Sequence, residues 1–208
     1  CNVNQENKNE FSYFSEQFAD LKVLRYQIPG FDNLSLDQKK LVYYLTEAGL
    51  SGRDIMYDQN YRHNLKIRRA LENIYLNYNG DKNDKRWESF KIYLKRIWFS
   101  NGIHHHYSND KFEPDFSAEY LKNLMDETNT KLNDEVFDLI FNDVDSKKVN
   151  KNKSKGIVLG SSVNFYGSDV TEEDVDNFYN NIKVPDSNKP ISLGLNSKLV
   201  KEDGVLKE

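Results

Sequence analysis

Three of the four histidines in this 208-residue chain stand side by side, as His104, His105 and His106. They lie inside the run Trp98-Phe99-Ser100-Asn101-Gly102-Ile103-His104-His105-His106-Tyr107-Ser108-Asn109-Asp110-Lys111-Phe112-Glu113-Pro114. Imidazole is a proton carrier near neutral pH and the commonest metal ligand among side chains, so metal binding is the first chemistry to weigh. The spacing argues against it. Consecutive side chains diverge on a helix and on a strand, so at most His104 and His106 can point the same way. A catalytic zinc takes three protein ligands, and helical pairs come four apart as in H-E-x-x-H, whereas no histidine here is followed by Glu. His63 is far off in sequence. The histidines therefore read as polar groups lining a loop or cleft.

Other reactive groups are as sparse. There is no G-x-S-x-G elbow and no Walker-type phosphate loop, and Gly80-Asp81 and Gly160-Ser161 are isolated turns. The single cysteine, Cys1, has no histidine near it and cannot form an intrachain disulfide. Adjacent Glu172 and Glu173 suit a helix start better than a catalytic dyad. On chemistry alone the chain holds no complete active site.

The elements that position the histidine run are read from hydrophobic spacing. Trp87, Phe90, Tyr93, Leu94, Ile97 and Trp98 form the strongest amphipathic helix, ended by Asn101-Gly102. Before it, Phe11, Phe14, Phe18, Leu21 and Leu24 recur at helical steps and predict a helix closed by Ile28-Pro29-Gly30. Ser35 with Gln38 reads as a capping box opening a helix through Leu41, Val42, Leu45 and Ala48, closed by Gly49. A short helix is expected from Gly52 to Tyr57, with Arg53 and Asp54 exposed or paired, and another within Tyr61 to Tyr78 carrying Leu65, Leu71, Ile74 and Tyr75. Ser117 caps a helix with Tyr120, Leu121 and Leu124, and a further one holds Val136, Phe137, Ile140 and Phe141. Beyond Asn142 the character changes. Ser146–Lys155 is a Lys- and Asn-rich exposed loop. Gly156–Leu159, Val163–Tyr166, Ile191–Asn196 and Lys198–Leu206 have strand character, and Thr171 opens one more helix through Val175, Phe178 and Tyr179. The resulting division is a flexible tether at 1–10, a helical region at 11–145, an exposed loop at 146–155 and a strand-rich region at 156–208.

Composition bounds the rest. Hydrophobic residues make up 38%, but 12 Phe and 13 Tyr offset the scarce aliphatics because each ring buries a large area. Net charge is −4 with both signs mixed throughout, which argues against nucleic acid as a partner. No apolar run approaches membrane-spanning length, so no transmembrane segment is expected. Cys1 at the first position is either a chance boundary or the acylated cysteine of a bacterial lipoprotein, and the polar Asn2–Glu10 tail suits a tether to such an anchor. The lipoprotein reading places the chain in the bacterial cell envelope, periplasmic or outer surface; the alternative is cytoplasmic.

Three ordered blocks resemble the dipeptidyl peptidase III family of zinc metallopeptidases, especially its bacterial members. The first runs from Phe18-Ala19-Asp20-Leu21 to Arg69 and includes Leu41-Val42-Tyr43-Tyr44-Leu45 and Gly52-Arg53-Asp54-Ile55. The second is Tyr93-Leu94-Lys95-Arg96-Ile97-Trp98-Phe99-Ser100-Asn101-Gly102 continuing to Lys111-Phe112-Glu113-Pro114. The third is Val163-Asn164-Phe165-Tyr166-Gly167 with Asp169-Val170-Thr171, then Leu193-Gly194-Leu195-Asn196-Ser197-Lys198-Leu199. The resemblance implies a two-lobed aminopeptidase-type hydrolase that removes dipeptides from the N-terminus of oligopeptides. Its zinc is held by an H-E-x-x-G-H motif and a later Glu, none of which occurs here, so no cofactor is expected in this chain and zinc is expected in the full-length enzyme. This chain matches the N-terminal portion, whose partner is the zinc-bearing C-terminal lobe of the same protein. In the family an extended peptide lies along a strand of the lower lobe, a β-augmentation in which main-chain hydrogen bonds give affinity.

By position, Tyr107 matches an aromatic that lines the cleft and packs on substrate, with Asn101, His104, His105, His106 and Lys111 as rim or support groups. The match departs at the histidines, where animal members carry an Asn-Tyr-Lys-Ser-Phe-Gly-Asp type of segment. The expected fold class is predominantly helical α+β: helices over the N-terminal two-thirds, then a few strands of a mixed sheet or incomplete β-barrel, as a partial lobe of a two-lobed peptidase. Strands left without later partners have open edges, a further pointer to a portion of something longer. The expected function is the substrate-cleft lobe of such an exopeptidase, inactive alone. The rival is a non-catalytic, lipid-anchored module that binds peptides or a partner protein. A third reading, a glycan-binding lipoprotein, requires Trp87 or Trp98 to be exposed, whereas the helical stripe buries both.

Overall fold

The computed structural model describes residues 11–184, 186, 188 and 191–208. The tether expected over residues 1–10, and with it Cys1, lies outside the described residues. The elements run β1 (Phe14–Phe18), β2 (Leu21–Leu24), a 3-10 turn at Phe31–Asn33, α1 (Leu36–Ser51), α2 (Arg53–Asn60), α3 (Asn64–Asn77) and α4 (Lys85–Ser100). They continue with α5 (Ala118–Glu127), α6 (Asp134–Phe141), α7 (Glu172–Asn180), β3 (Val200–Glu202) and β4 (Val205–Lys207). The protein is predominantly helical α+β. The chain divides into two compact units, residues 1–51 and 52–208.

The first unit corrects the helix expected over Phe11–Leu24. Those residues form an antiparallel hairpin in which Phe18 faces Leu21 and Phe14 faces Leu24. Phe14 and Phe18 are four apart, a step that puts two side chains on one face of a strand as well as of a helix. Leu21 and Val23, both half-buried while Lys22 and Leu24 are exposed, carry the period of two that decides the matter. The turn sits at Ala19-Asp20, with Ala19 at φ 47°. Helix α1 opens on the expected capping box: the Ser35 amide donates to Gln38 Oε1 at 2.9 Å and the Gln38 amide to Ser35 Oγ at 3.3 Å. It runs past Gly49 to Ser51 and contains no buried residue.

The second unit is built around α3 and α4. Ile67, Leu71 and Ile74 of α3 are buried against Phe90, Leu94 and Ile97 of α4, and α5 and α6 complete the core with Leu121, Leu124, Val136 and Ile140. Burying one such side chain stabilises by roughly 1.5–3 kcal/mol. Aromatic rings close the far end, where Trp87 stacks on Phe90 at 5.0 Å and on Tyr78 at 4.4 Å. Trp87 is 2% exposed. Trp98 is half-buried and donates from Nε1 to Glu72 at 2.8 Å. The glycan-binding reading, which needed one of them exposed, loses its support. Helix α2 is tied to α3 where Asp54 receives Arg68 and Arg69, each at 2.9 Å. Caps fix the helix starts: Asp84 accepts from the Arg86 amide, Ser117 from the Tyr120 amide, and Thr171 with Asp174 forms a full capping box.

The C-terminal region departs from the expected sheet. Residues 156–159 and 163–166 are turns and irregular chain, and 191–196 form no strand. Val158, Val170 and Leu199 instead make a small second core against Phe178, Tyr179 and Leu206. A single parallel bridge joins Tyr166 to Leu199. The β3–β4 hairpin turns at Asp203-Gly204 with φ 52° and 77°, the pair of positive φ values that a two-residue type I′ turn requires. The β-branched content of these segments serves burial of single residues, not ladder formation. Within the larger core, Leu94→Ala is expected to lower unfolding free energy by about 2–5 kcal/mol, read by urea denaturation, whereas Ser117→Ala removes only a cap and costs about 1 kcal/mol.

Candidate functional site

The segment after α4 is set by its helix stop. Asn101 adopts the left-handed conformation at φ 53°, and Gly102, at φ 147°, donates its amide to Ile97 O at 3.0 Å. Gly102 is required here twice over: its φ is one that L side chains rarely adopt, and a Cβ would overlap the Asn64 carboxamide. Asn64 is 0% exposed. Its Nδ2 donates to Tyr57 O at 3.0 Å and to Asn101 O at 3.4 Å, and its Oδ1 accepts from the Ile103 amide at 3.1 Å. One buried side chain thus joins the end of α2, the start of α3 and the exit of α4. Asn101, expected on a cleft rim, is the helix stop, and its carbonyl also accepts from Asn60 Nδ2 at 3.1 Å.

The three histidines have three different surroundings. His104 is 2% exposed. Its Nε2 lies 2.7 Å from Asp145 O, a pure acceptor, so Nε2 carries the proton; Ser162 Oγ is 3.3 Å from the same nitrogen. The ring stands edge-on to Tyr61, which is likewise edge-on to His63, both at 5.3 Å. His105 is half-buried and accepts at Nδ1 from the amides of Tyr107 and Ser108, each at 3.1 Å, which fixes the following turn. His106 stacks on His105 at 4.6 Å and has Nδ1 3.3 Å from Ser100 Oγ. Tyr107 packs on His106 at 4.4 Å and is 83% exposed. Of the expected rim groups, Tyr107 alone stands fully in solvent.

Lys111 serves the scaffold. Its ammonium donates to Asn142 O and Val144 O, each at 2.5 Å, beyond the end of α6. Burial lowers its pKa. A cavity of about 390 Å³ opens beside it, lined by Asp110, Glu113, Phe141 and Asp143 among others. The strap from Asn142 to Lys148 is further held where the Lys111 amide bonds Ser146 O, the Lys148 amide bonds Asn109 O, and Lys147 pairs with Asp110. Its centre is Asp145, at φ 52°. The Asp145 carboxylate accepts from Tyr61 OH at 2.7 Å and from Arg62 Nη2 at 3.2 Å. Burial and the adjoining carboxylate push the Tyr61 phenol far above its ordinary value, so it remains a donor.

Sequence reasoning passed over Asn64, Tyr61, Arg62, Asp145 and Ser162. For Asn64 a signal existed: it continues the stripe Ile67, Leu71, Ile74 backward at the same spacing, and a polar residue on an apolar stripe marks a buried hydrogen-bonding group. Asp145 has no local signature.

Among the described residues no three His, Cys, Asp or Glu side chains converge on one point. His104 Nε2 and His105 Nδ1 are each committed to backbone partners. Comparison with protein-family models and with curated proteins finds no match to the chain.

Burial pushes the His104 pKa from 6.5 down to about 4, and its bare Nδ1 has no partner to receive a charge. The folded-state pKa lies below the unfolded one, so the unfolded chain binds the proton first. Stability is therefore full above pH 6.5 and falls progressively toward pH 4, by roughly 3 kcal/mol in all. His63, lowered in the same direction by burial and by Arg62, adds to the loss. Urea denaturation across this window is expected to show that slope, and His104→Gln, which keeps a donor to Asp145 O, is expected to flatten it.

Proposed function

We propose that this chain forms the substrate-cleft part of a dipeptidyl peptidase III-like zinc exopeptidase, which releases dipeptides from the N-terminus of oligopeptides. The reading rests first on the three ordered sequence blocks. The structural observation that supports it is the presentation of Tyr107: an exposed ring held in one place. Two backbone amides bonded to His105 Nδ1 shape its turn, and stacked His105 and His106 back its face. A free surface tyrosine loses rotamer freedom on binding, whereas a braced one loses less, so its contact area converts into affinity more fully. Against an extended peptide the ring offers an apolar face and a phenol at its edge.

In this reading His104, Asn101, Asn64 and Lys111 contribute by fixing the platform, and substrate meets Tyr107 with the flanks of His105 and His106. The metal-activated water belongs to the partner lobe, and this chain contributes no group to the chemical step. The lipid anchor at Cys1 and a bacterial envelope location are part of the same proposal. Among the described residues no helix is long and apolar enough to cross a membrane.

A second reading has its own support. Helix α1 carries Leu41, Val42, Tyr43, Tyr44 and Leu45, all exposed. Contiguous apolar surface of this kind commonly marks a protein contact. That favours a non-catalytic, lipid-anchored module that binds a partner protein or peptides.

Dipeptide release separates the two. The protein encoded by the complete reading frame, loaded with zinc, is expected to liberate dipeptides from oligopeptides in a chelator-sensitive way, and the 208-residue chain by itself to liberate none. Tyr107→Ala in the complete protein is expected to raise KM about tenfold with little change in kcat, the mark of lost uniform binding. Because the ring is exposed, its thermal melting should not shift. Chelator-insensitive or absent release by the complete protein would sink the peptidase reading in favour of the binding module.

A further inference from the structure

We infer that a cavity beside Arg62 binds an oxyanion, a carboxylate or phosphate group, through Arg62 and Lys198. The cavity measures about 430 Å³, within the range of small-ligand sites, and its lining includes Arg62, Asp145, Ser161, Tyr166, Ser168 and Lys198. Two cations face it against one carboxylate. That carboxylate is already engaged: Asp145 accepts from Tyr61 OH and from Arg62 Nη2. Arg62 is oriented rather than consumed by these contacts. Its Nε donates to His63 Nε2 at 3.1 Å and its Cζ lies 5.5 Å from the Tyr61 ring centre, and among the described residues Nη1 takes no partner. A guanidinium held in this way suits the paired oxygens of a carboxylate or phosphate.

Lys198 supplies the second charge. Its ammonium donates to Asn164 Oδ1 at 2.9 Å and, among the described residues, forms no ion pair. The nearby carboxylate of Asp58 is turned to Asn164 Nδ2 at 3.4 Å and is not part of the lining. Ser161 Oγ accepts from the Asn150 amide at 2.8 Å, so its own proton remains to be donated. With Arg62 offsetting Asp145, Lys198 leaves the lining one positive charge in excess, and with the unspent Ser161 hydroxyl this is complementary to a single negative group. The inference stands on this cavity and not on the peptidase reading.

Calorimetric titration of the 208-residue chain tests it, with three probes in separate experiments: inorganic phosphate, an N-acetylated dipeptide with a free C-terminal carboxylate, and the same dipeptide as its C-terminal amide. Saturable binding of phosphate or of the free-carboxylate dipeptide, weakened by added salt, is the expected result. Phosphate alone would identify a phosphoryl ligand, and the carboxylate dipeptide without its amide would identify a peptide C-terminus. Lys198→Gln is expected to raise Kd about tenfold, and Arg62→Gln at least as much. Among the described residues Lys198 forms no ion pair and makes one exposed hydrogen bond, to Asn164, so its variant is expected to keep the fold even where Arg62→Gln, through Asp145, disturbs it. Failure of both phosphate and the carboxylate dipeptide to bind would overturn the inference, as would a Lys198→Gln variant that binds like the wild type.

Discussion

A single buried carboxamide holds the second unit's functional end in register. Burying an amide is unfavourable unless its donor and acceptor are both satisfied, and Asn64 meets that condition only when Tyr57 O, Asn101 O and the Ile103 amide occupy their present places. The end of α2, the first turn of α3 and the exit from α4 are therefore fixed together. Any displacement of one leaves an orphaned polar atom inside the core. Gly102 belongs to the same constraint, since no other residue leaves room for the carboxamide. The apolar packing of α3 on α4 supplies the larger share of free energy, but dispersion is tolerant of small sliding, whereas three hydrogen bonds to one planar group are not.

From that point order passes outward through polar contacts. Ile103 is buried beside Asn64, His104 reaches the carbonyl of Asp145, and Lys111 gathers the carbonyls beyond α6. Asp145 occupies a left-handed backbone conformation that costs an ordinary residue about 1 kcal/mol or more, and it persists because three side chains fasten it. The same aspartate orients Arg62. Asp145 thus links His104, at the head of the histidine run, with the oriented guanidinium of Arg62. Acid acts on this network through two imidazoles, buried His104, whose Nδ1 has no partner, and half-buried His63.

Helices were legible wherever the sequence held both a stripe and a cap. Ser35 with Gln38, Ser117 and Thr171 each stand where the chain starts to coil, and Asn101-Gly102 stands where it stops. Legibility failed where spacing was ambiguous or where pairing depended on distant chain. Phe14 and Phe18 fit both periods, and the alternation of Leu21 and Val23 was too short to outweigh them. Gly156–Leu159 and Val163–Tyr166 have strand composition, yet Val158 meets Val170 and Leu199 as a lone buried residue, a tertiary outcome that β propensity does not contain. At the candidate site, Tyr107 was singled out only by its position in the family resemblance, while Asp145 reaches His104 from some forty residues away in sequence, which no local pattern announces.

The histidine run shows how far residue type falls short of chemistry. Three identical rings in succession suggest a shared task, but the chain passes from a β-bridge at His104 into a turn at His106, and each ring meets a different environment. His104 enters the core and braces a strained carbonyl, His105 organises the turn after it, and His106 backs the tyrosine that reaches solvent. Each has a ring nitrogen within reach of a different partner, Asp145 O for His104, the Tyr107 and Ser108 amides for His105 and Ser100 Oγ for His106. Among the described residues the three do not converge with other donors on one point. What the triplet does is pack at the foot of Tyr107, where two amides bonded to His105 Nδ1 and the ring of His106 set the turn that carries it.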